Sequence, residues 1–260
     1  MNRFVIMTSF ALAAATAVAE TPPATQRNFV SCPIVRDTVT VPCWLSEYEG
    51  ELYYLGIQTD VSADFDPPFL GHNVLVEGTV SDQPRICGGI VLDPVRISPI
   101  LDFDARCNTT LPAEDRYTVP FAPRPPGPSG GRLAFQRDPA EPEVLRPPYE
   151  PKQFEIFYDF DMLILGRDAA TLAEVLNYAT KIDASTIEVT GSSGAVLLSG
   201  GTTMREDSSI ALKRANEVAR LLETGGLGDR QFEISSMSDQ QSADGVEDWR
   251  ARLTVIRVVP

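Results

Sequence analysis

The 260 residues carry 22 basic side chains against 36 acidic ones, a net charge of −14. That balance argues against a nucleic-acid partner, because binding phosphate needs a basic face and the basic residues here are scattered. The chain is also longer than one small domain needs, so a division is expected.

Arg3, an apolar run over residues 4–18 and the small residues Ala17-Val18-Ala19 have the charged, apolar and small-residue layout of a secretory signal peptide. Residues 1–19 are expected to be removed after Ala19. The apolar run is shorter than a bilayer-spanning helix requires, no cysteine follows the cleavage point, and no later segment is apolar enough to span. The reading is a soluble exported protein of the periplasm, associated with the outer membrane or the cell wall. Cys32, Cys43, Cys87 and Cys107 are an even set in such a chain, which argues for two disulfides; proximity along the chain favours Cys32 with Cys43 and Cys87 with Cys107. Metal ligation finds no C-x-x-C and a single histidine, His72, so no metal or other cofactor is expected.

Residues 38–41, 52–57, 74–80 and 90–92 are short, rich in β-branched and aromatic residues, and separated by Gly, Asp and Pro. They predict an all-β domain over residues 28–119, with a five-stranded OB-like barrel as the first choice and a small sandwich as the second. Tyr48-Glu49-Gly50 reads as a hairpin turn, and Gly71 and Gly78 as bends or bulges. Residues 120–151 contain Pro-Arg-Pro-Pro-Gly-Pro, two adjacent glycines and further prolines, which neither continue a helix nor sit inside a sheet; they predict an extended linker, with a short docked strand at 132–136.

Beyond the linker the period changes. A strand is expected over 154–165, then a helix capped by Asp168 with Leu172, Val175, Leu176 and Ala179 on one face. A strand at 186–190, a helix over 207–222, and strands at 231–234 and 251–259 complete a β-α-β-α-β-β order, an α+β sandwich. In the second helix Ala211, Ala215, Val218 and Leu222 form the apolar stripe, and Arg214 lies at its edge, where a cation reaches a ligand.

Asp207, Ile210, Ala211, Arg214, Ala215 and Val218 stand at the positions of the motif N-x-x-L-S-x-x-R-A-x-x-V, and the chain over residues 152–260 resembles the OmpA-like periplasmic domains. Phe157 to Asp161 resembles the opening F-x-F-D strand of that family. Val189-Thr190-Gly191 resembles the strand end before its G-H-T-D loop, Gly226-Leu227 its G-I turn, and Arg250 to Val255 its closing N-R-R-V-E-I strand. The resemblance implies association with peptidoglycan, in which a loop aspartate and the helix arginine hold the amino and carboxylate groups of diaminopimelate.

Arg214 matches the arginine, whereas Gly191-Ser192-Ser193-Gly194 stands where G-H-T-D would, without the acid. The loss of one charge-assisted partner weakens binding by roughly 1.5–3 kcal/mol. Asp207 is the candidate substitute anion, Ser192 and Ser193 are candidate donors to a glycan or peptide, and Arg252 is a candidate ligand residue or a structural ion-pair partner.

No nucleophile motif occurs, so the chain is read as a non-enzymatic envelope protein binding peptidoglycan or an envelope protein. The alternatives are a scaffold that has lost peptidoglycan and makes protein contacts, and an envelope enzyme with its site at Gly71-His72-Asn73.

Overall fold

The computed structural model describes residues 25–57, 65, 67–117, 119, 147–163, 169–237 and 243–260. The expected signal peptide, the strand at 132–136 and the Asp168 cap lie outside them.

The N-terminal half is built of seven strands: β1 (Gln26–Ser31), β2 (Pro33–Arg36), β3 (Cys43–Tyr48), β4 (Glu51–Ile57), β5 (His72–Val80), β6 (Ile90–Phe103) and β7 (Thr109–Leu111). They form one sheet in the order β1-β5-β6-β4-β3-β2-β7, in place of the five strands expected. The β3–β4 hairpin turns at Glu49 and Gly50, whose φ values of 52° and 79° are those of a two-residue turn that follows the strand twist. Gly78 marks a register shift between β5 and β6, as its position in the sequence suggested. Residues 38–41 are not a strand, because the Thr38 hydroxyl takes the amide of Thr40 and donates to the carbonyl of Val41, closing a local turn. Phe29, Tyr53, Leu55, Val74, Val76, Leu92 and Ile97 pack as one apolar cluster; Ile34, Cys43, Leu45, Cys87 and Val119 form a second.

The disulfides join Cys32 to Cys107 and Cys43 to Cys87, which corrects the pairing by proximity. Sheet order is the reason. β2 lies between β3 and β7, so Cys32 at its start comes beside the segment that leads into β7. Cys43 opens β3, next to the turn that precedes β6.

The C-terminal half follows the order β8 (Lys152–Phe157), α1 (Ala169–Ile182), β9 (Thr186–Gly191), the hairpin β10 (Ala195–Leu197) and β11 (Thr203–Arg205), α2 (Ser209–Leu222), β12 (Gln231–Ser236) and β13 (Leu253–Val259). The four long strands form a mixed sheet, β12-β9-β13-β8, with β9 parallel to β12 and β13 antiparallel to both of its neighbours. Both helices bury their apolar stripes against this sheet: Val175, Ala179 and Ile182 from α1, and Ala215, Val218, Ala219 and Leu222 from α2. At the end of β9, a Cβ on Gly191 would stand 1.9 Å from the carbonyl oxygen of Ala211, so only glycine lets the strand meet α2 there. The alternating pattern that predicted a strand as far as 165 stops at Phe157.

The halves are packed together. Leu75 of β5 meets Phe160 and Val196, with Val30, Ile100, Leu198 and Met204 around them. The β10–β11 hairpin, absent from the predicted elements, supplies much of that contact.

Candidate functional site

Arg214 projects from the second turn of α2 and is completely buried. Its partner is Glu206, which follows β11 directly, with Nη1 2.9 Å and Nη2 2.7 Å from the two carboxylate oxygens. The remaining donors go to backbone carbonyls: Nε to Met162 at 3.0 Å, Nη1 to Ser192 at 3.0 Å and Nη2 to Asp159 at 3.3 Å. A guanidinium has five N–H bonds, and all five are used. Its carbon lies 4.5 Å from the centroid of the Tyr158 ring. Glu206 also accepts the amides of Asp161 at 2.7 Å and Gly194 at 2.8 Å. The pair therefore holds three chain segments at once, and it explains why β8 ends early: the backbone of 159–162 turns to feed it, with Asp161 at a φ of 58°.

Arg252 is also fully buried and reaches across to the N-terminal sheet. Its two terminal nitrogens meet the two carboxylate oxygens of Glu77 on β5, and its Nε lies 3.4 Å from the Tyr158 carbonyl. Burial pushes the Glu77 carboxyl up, and Arg252 opposes that shift. A Cβ at Gly194 would stand 2.6 Å from Cγ of Arg252, so the glycine at the expected acid position gives the arginine stem its path.

Further polar contacts close the same seam. The Asn28 side chain on β1 donates to the carbonyls of Leu197 at 3.0 Å and Gly245 at 2.8 Å, while its backbone exchanges hydrogen bonds with Ser199. Arg96 lies 3.4 Å from Asp159. Asp248, whose carboxyl is pushed up by burial, accepts the amides of Leu197 and Gly245.

The other residues singled out in the sequence have local roles. Ser192 is buried, with its hydroxyl between the carbonyls of Ala251 and Leu253 at 2.5 and 3.1 Å; Ser193 is buried beside it. Asp207 is exposed and accepts the amide of Ser209 at 2.7 Å, and that contact holds its carboxyl below the usual range. It therefore bonds the backbone at the start of α2, and Glu206, not Asp207, is the anion at Arg214. His72 opens β5 with Nδ1 3.1 Å from the Ile100 carbonyl, flanked edge-on by the rings of Phe69 and Phe103. Among the described residues no group of three His, Cys, Asp or Glu side chains could hold a metal, and no helix is long and apolar enough to cross a membrane.

Sequence reasoning brought Arg214 and Ser192 to one place, but missed Glu206, Glu77 and Asn28. Glu206 lies in Met204-Arg205-Glu206-Asp207, a charged run that reads as a solvated loop. Glu77 lies within the strand expected over 74–80, whereas Asn28 lies on β1, which is not among the predicted strands. Comparison with protein-family models and with curated proteins gives no match for this chain.

Proposed function

We propose that this chain is a non-enzymatic, exported envelope protein of the periplasm whose C-terminal half is an OmpA-like domain turned into a scaffold for protein contacts. One observation carries the reading: the Arg214 guanidinium has all five N–H bonds engaged inside the protein. A diaminopimelate carboxylate would have to displace Glu206, at the cost of a buried, hydrogen-bonded ion pair. Arg252 is likewise taken by Glu77 of the N-terminal sheet. The β-α-β-α-β-β order of the long elements supports kinship with the OmpA-like fold, and the two disulfides fit an oxidising compartment. The OB-like reading of the N-terminal half remains a proposal within this one.

The test is co-sedimentation of the chain from Glu20 onward with purified peptidoglycan sacculi. Pelleting no greater than in the sacculus-free control is expected. Saturable retention, abolished by free diaminopimelate, would restore the wall-binding reading. N-terminal sequencing of the exported protein checks the compartment, with Glu20 as the expected first residue.

A further inference from the structure

At one end of β5 and β6 the sheet presents large apolar side chains to solvent: Phe69 is 58% exposed, Leu101 63% and Phe103 75%. Three such neighbours form a patch of the kind that marks a contact surface rather than scattered surface apolarity. The patch is held rigidly. Phe69, His72 and Phe103 stack edge to face, with ring centroids 6.3 and 5.9 Å apart. Phe103 lies over Gly71, where a Cβ would come within 2.8 Å of its ring. The Gly71 amide donates to the carbonyl of Cys107, whose disulfide to Cys32 pins the loop to β2. Asp104 is tied to Arg106 and Asn73. Aromatic side chains fixed in this way lose little freedom on binding, which is the property of an interface anchor.

Leu101 continues the patch into a cleft of about 400 Å³ lined by Pro99, Ile100, Asp102, Phe160, Asp161, Met204 and Arg205. One wall is β6. The other is the segment that the Arg214–Glu206 pair holds through the backbone of Asp159, Asp161 and Met162. Among the described residues no hydrogen bond or ion pair reaches the carboxylates of Asp102 and Asp161, whereas Arg205 already has a partner within the chain. Ile97, Ser98, Pro99 and Phe103 of β6 pair with β5 alone, with a register shift between Pro99 and Phe103, so among the described strands the other edge of β6 is unpaired there.

We infer that this end of the seam docks an extended segment of a partner protein in which apolar side chains alternate with lysine or arginine. This rests on the scaffold reading above and names its partner chemistry. The apolar side chains cover Leu101, Phe103 and the floor of Phe160 and Met204; the cations meet Asp102 and Asp161; an extended backbone suits a strand edge. The net charge of −14 opposes an anionic lipid surface as the occupant.

The experiment is fluorescence anisotropy of a labelled hexapeptide of alternating lysine and valine against the full mature chain. Saturable binding is expected, weakened at least tenfold by Phe103→Ser and by the pair Asp102→Asn with Asp161→Asn. All three residues are exposed, so these variants fold. Leu212→Ser, at an exposed apolar position on α2, leaves binding unchanged, and a glutamate–valine hexapeptide does not bind. The inference is overturned by absent saturation, by undiminished binding in either cleft variant, by equal loss in Leu212→Ser, or by Phe103-dependent binding to phosphatidylglycerol vesicles. Sacculus retention would overturn the scaffold reading alone, since the peptide measurement is read independently.

Discussion

Replacing Glu206 with leucine removes the carboxylate bonded to the Arg214 guanidinium, which has no exposed surface. Two N–H bonds of Arg214 then lose their acceptors, and so do the amides of Asp161 and Gly194. Breaking a buried pair on one side costs about 3–5 kcal/mol. At about 2–4 °C per kcal/mol for a folded unit of this size, the melting temperature falls by roughly 6–20 °C. The double variant Glu206→Leu with Arg214→Met removes both charges and leaves only backbone groups to resatisfy, so it is expected to recover about 2 kcal/mol relative to the single variant. Urea unfolding followed by the fluorescence of Trp44 and Trp249, one in each half, gives both quantities. A single-variant loss under about 1 kcal/mol, or a double variant no more stable than the single, would refute the view that the pair closes the site from within.

Asn28→Ala leaves the carbonyls of Leu197 and Gly245 without their donor, and a loss of about 1–3 kcal/mol is expected, with faster amide exchange in the β10–β11 hairpin than elsewhere. Gly194→Asp, the substitution that would restore an acid at the loop, meets the Arg252 stem and is expected to destabilise the protein without creating retention on sacculi. Severing the disulfide that spans 75 residues, Cys32–Cys107, is expected to cost about 4.5 kcal/mol by loop closure, slightly more than the one spanning 44, as comparison of the two double-serine variants by denaturant midpoint will measure. The carboxyls of Asp104, Asp207 and Glu217 are held below their ordinary values by hydrogen bonds from Arg106, Ser209 and Arg220. Their contribution is therefore complete above the unfolded carboxylate range and lost as pH falls below about 4. Asp104→Asn is expected to flatten that acid limb in a thermal-melt series.

The C-terminal elements were legible because their signals are periodic: the stripe from Ala211 to Leu222 and the alternation over β9 and β13 each require only one buried face. The N-terminal half was legible where that condition held, as in β4, and β5 was recognised from its β-branched run although both of its faces are buried. It failed where burial came from elsewhere. Asn28 and Glu77 are polar residues at positions buried by the other half of the chain, so a rule that assigns polar residues to the wet face misreads them. Thr38 and Thr40 are β-branched and suggested a strand, yet their hydroxyls offered the backbone a closer partner than a neighbouring strand. Arg214 was placed correctly on its helix, but its environment depends on a glutamate eight residues upstream, set in place at the end of a hairpin that has only three residues in each strand.

The Glu77–Arg252 pair spans 175 positions of sequence. During synthesis the glutamate emerges first and stays in water as a solvated anion until nearly the whole C-terminal half has followed. The N-terminal sheet can complete its own strands in that interval, but the face that carries Asn28, Leu75 and Glu77 has nothing to meet. Final docking is therefore a late event, gated by the arrival of β13, and a ribosome-stalled chain ending before Arg252 would present Asn28, Leu75 and Glu77 to any chaperone that recognises a half-covered sheet.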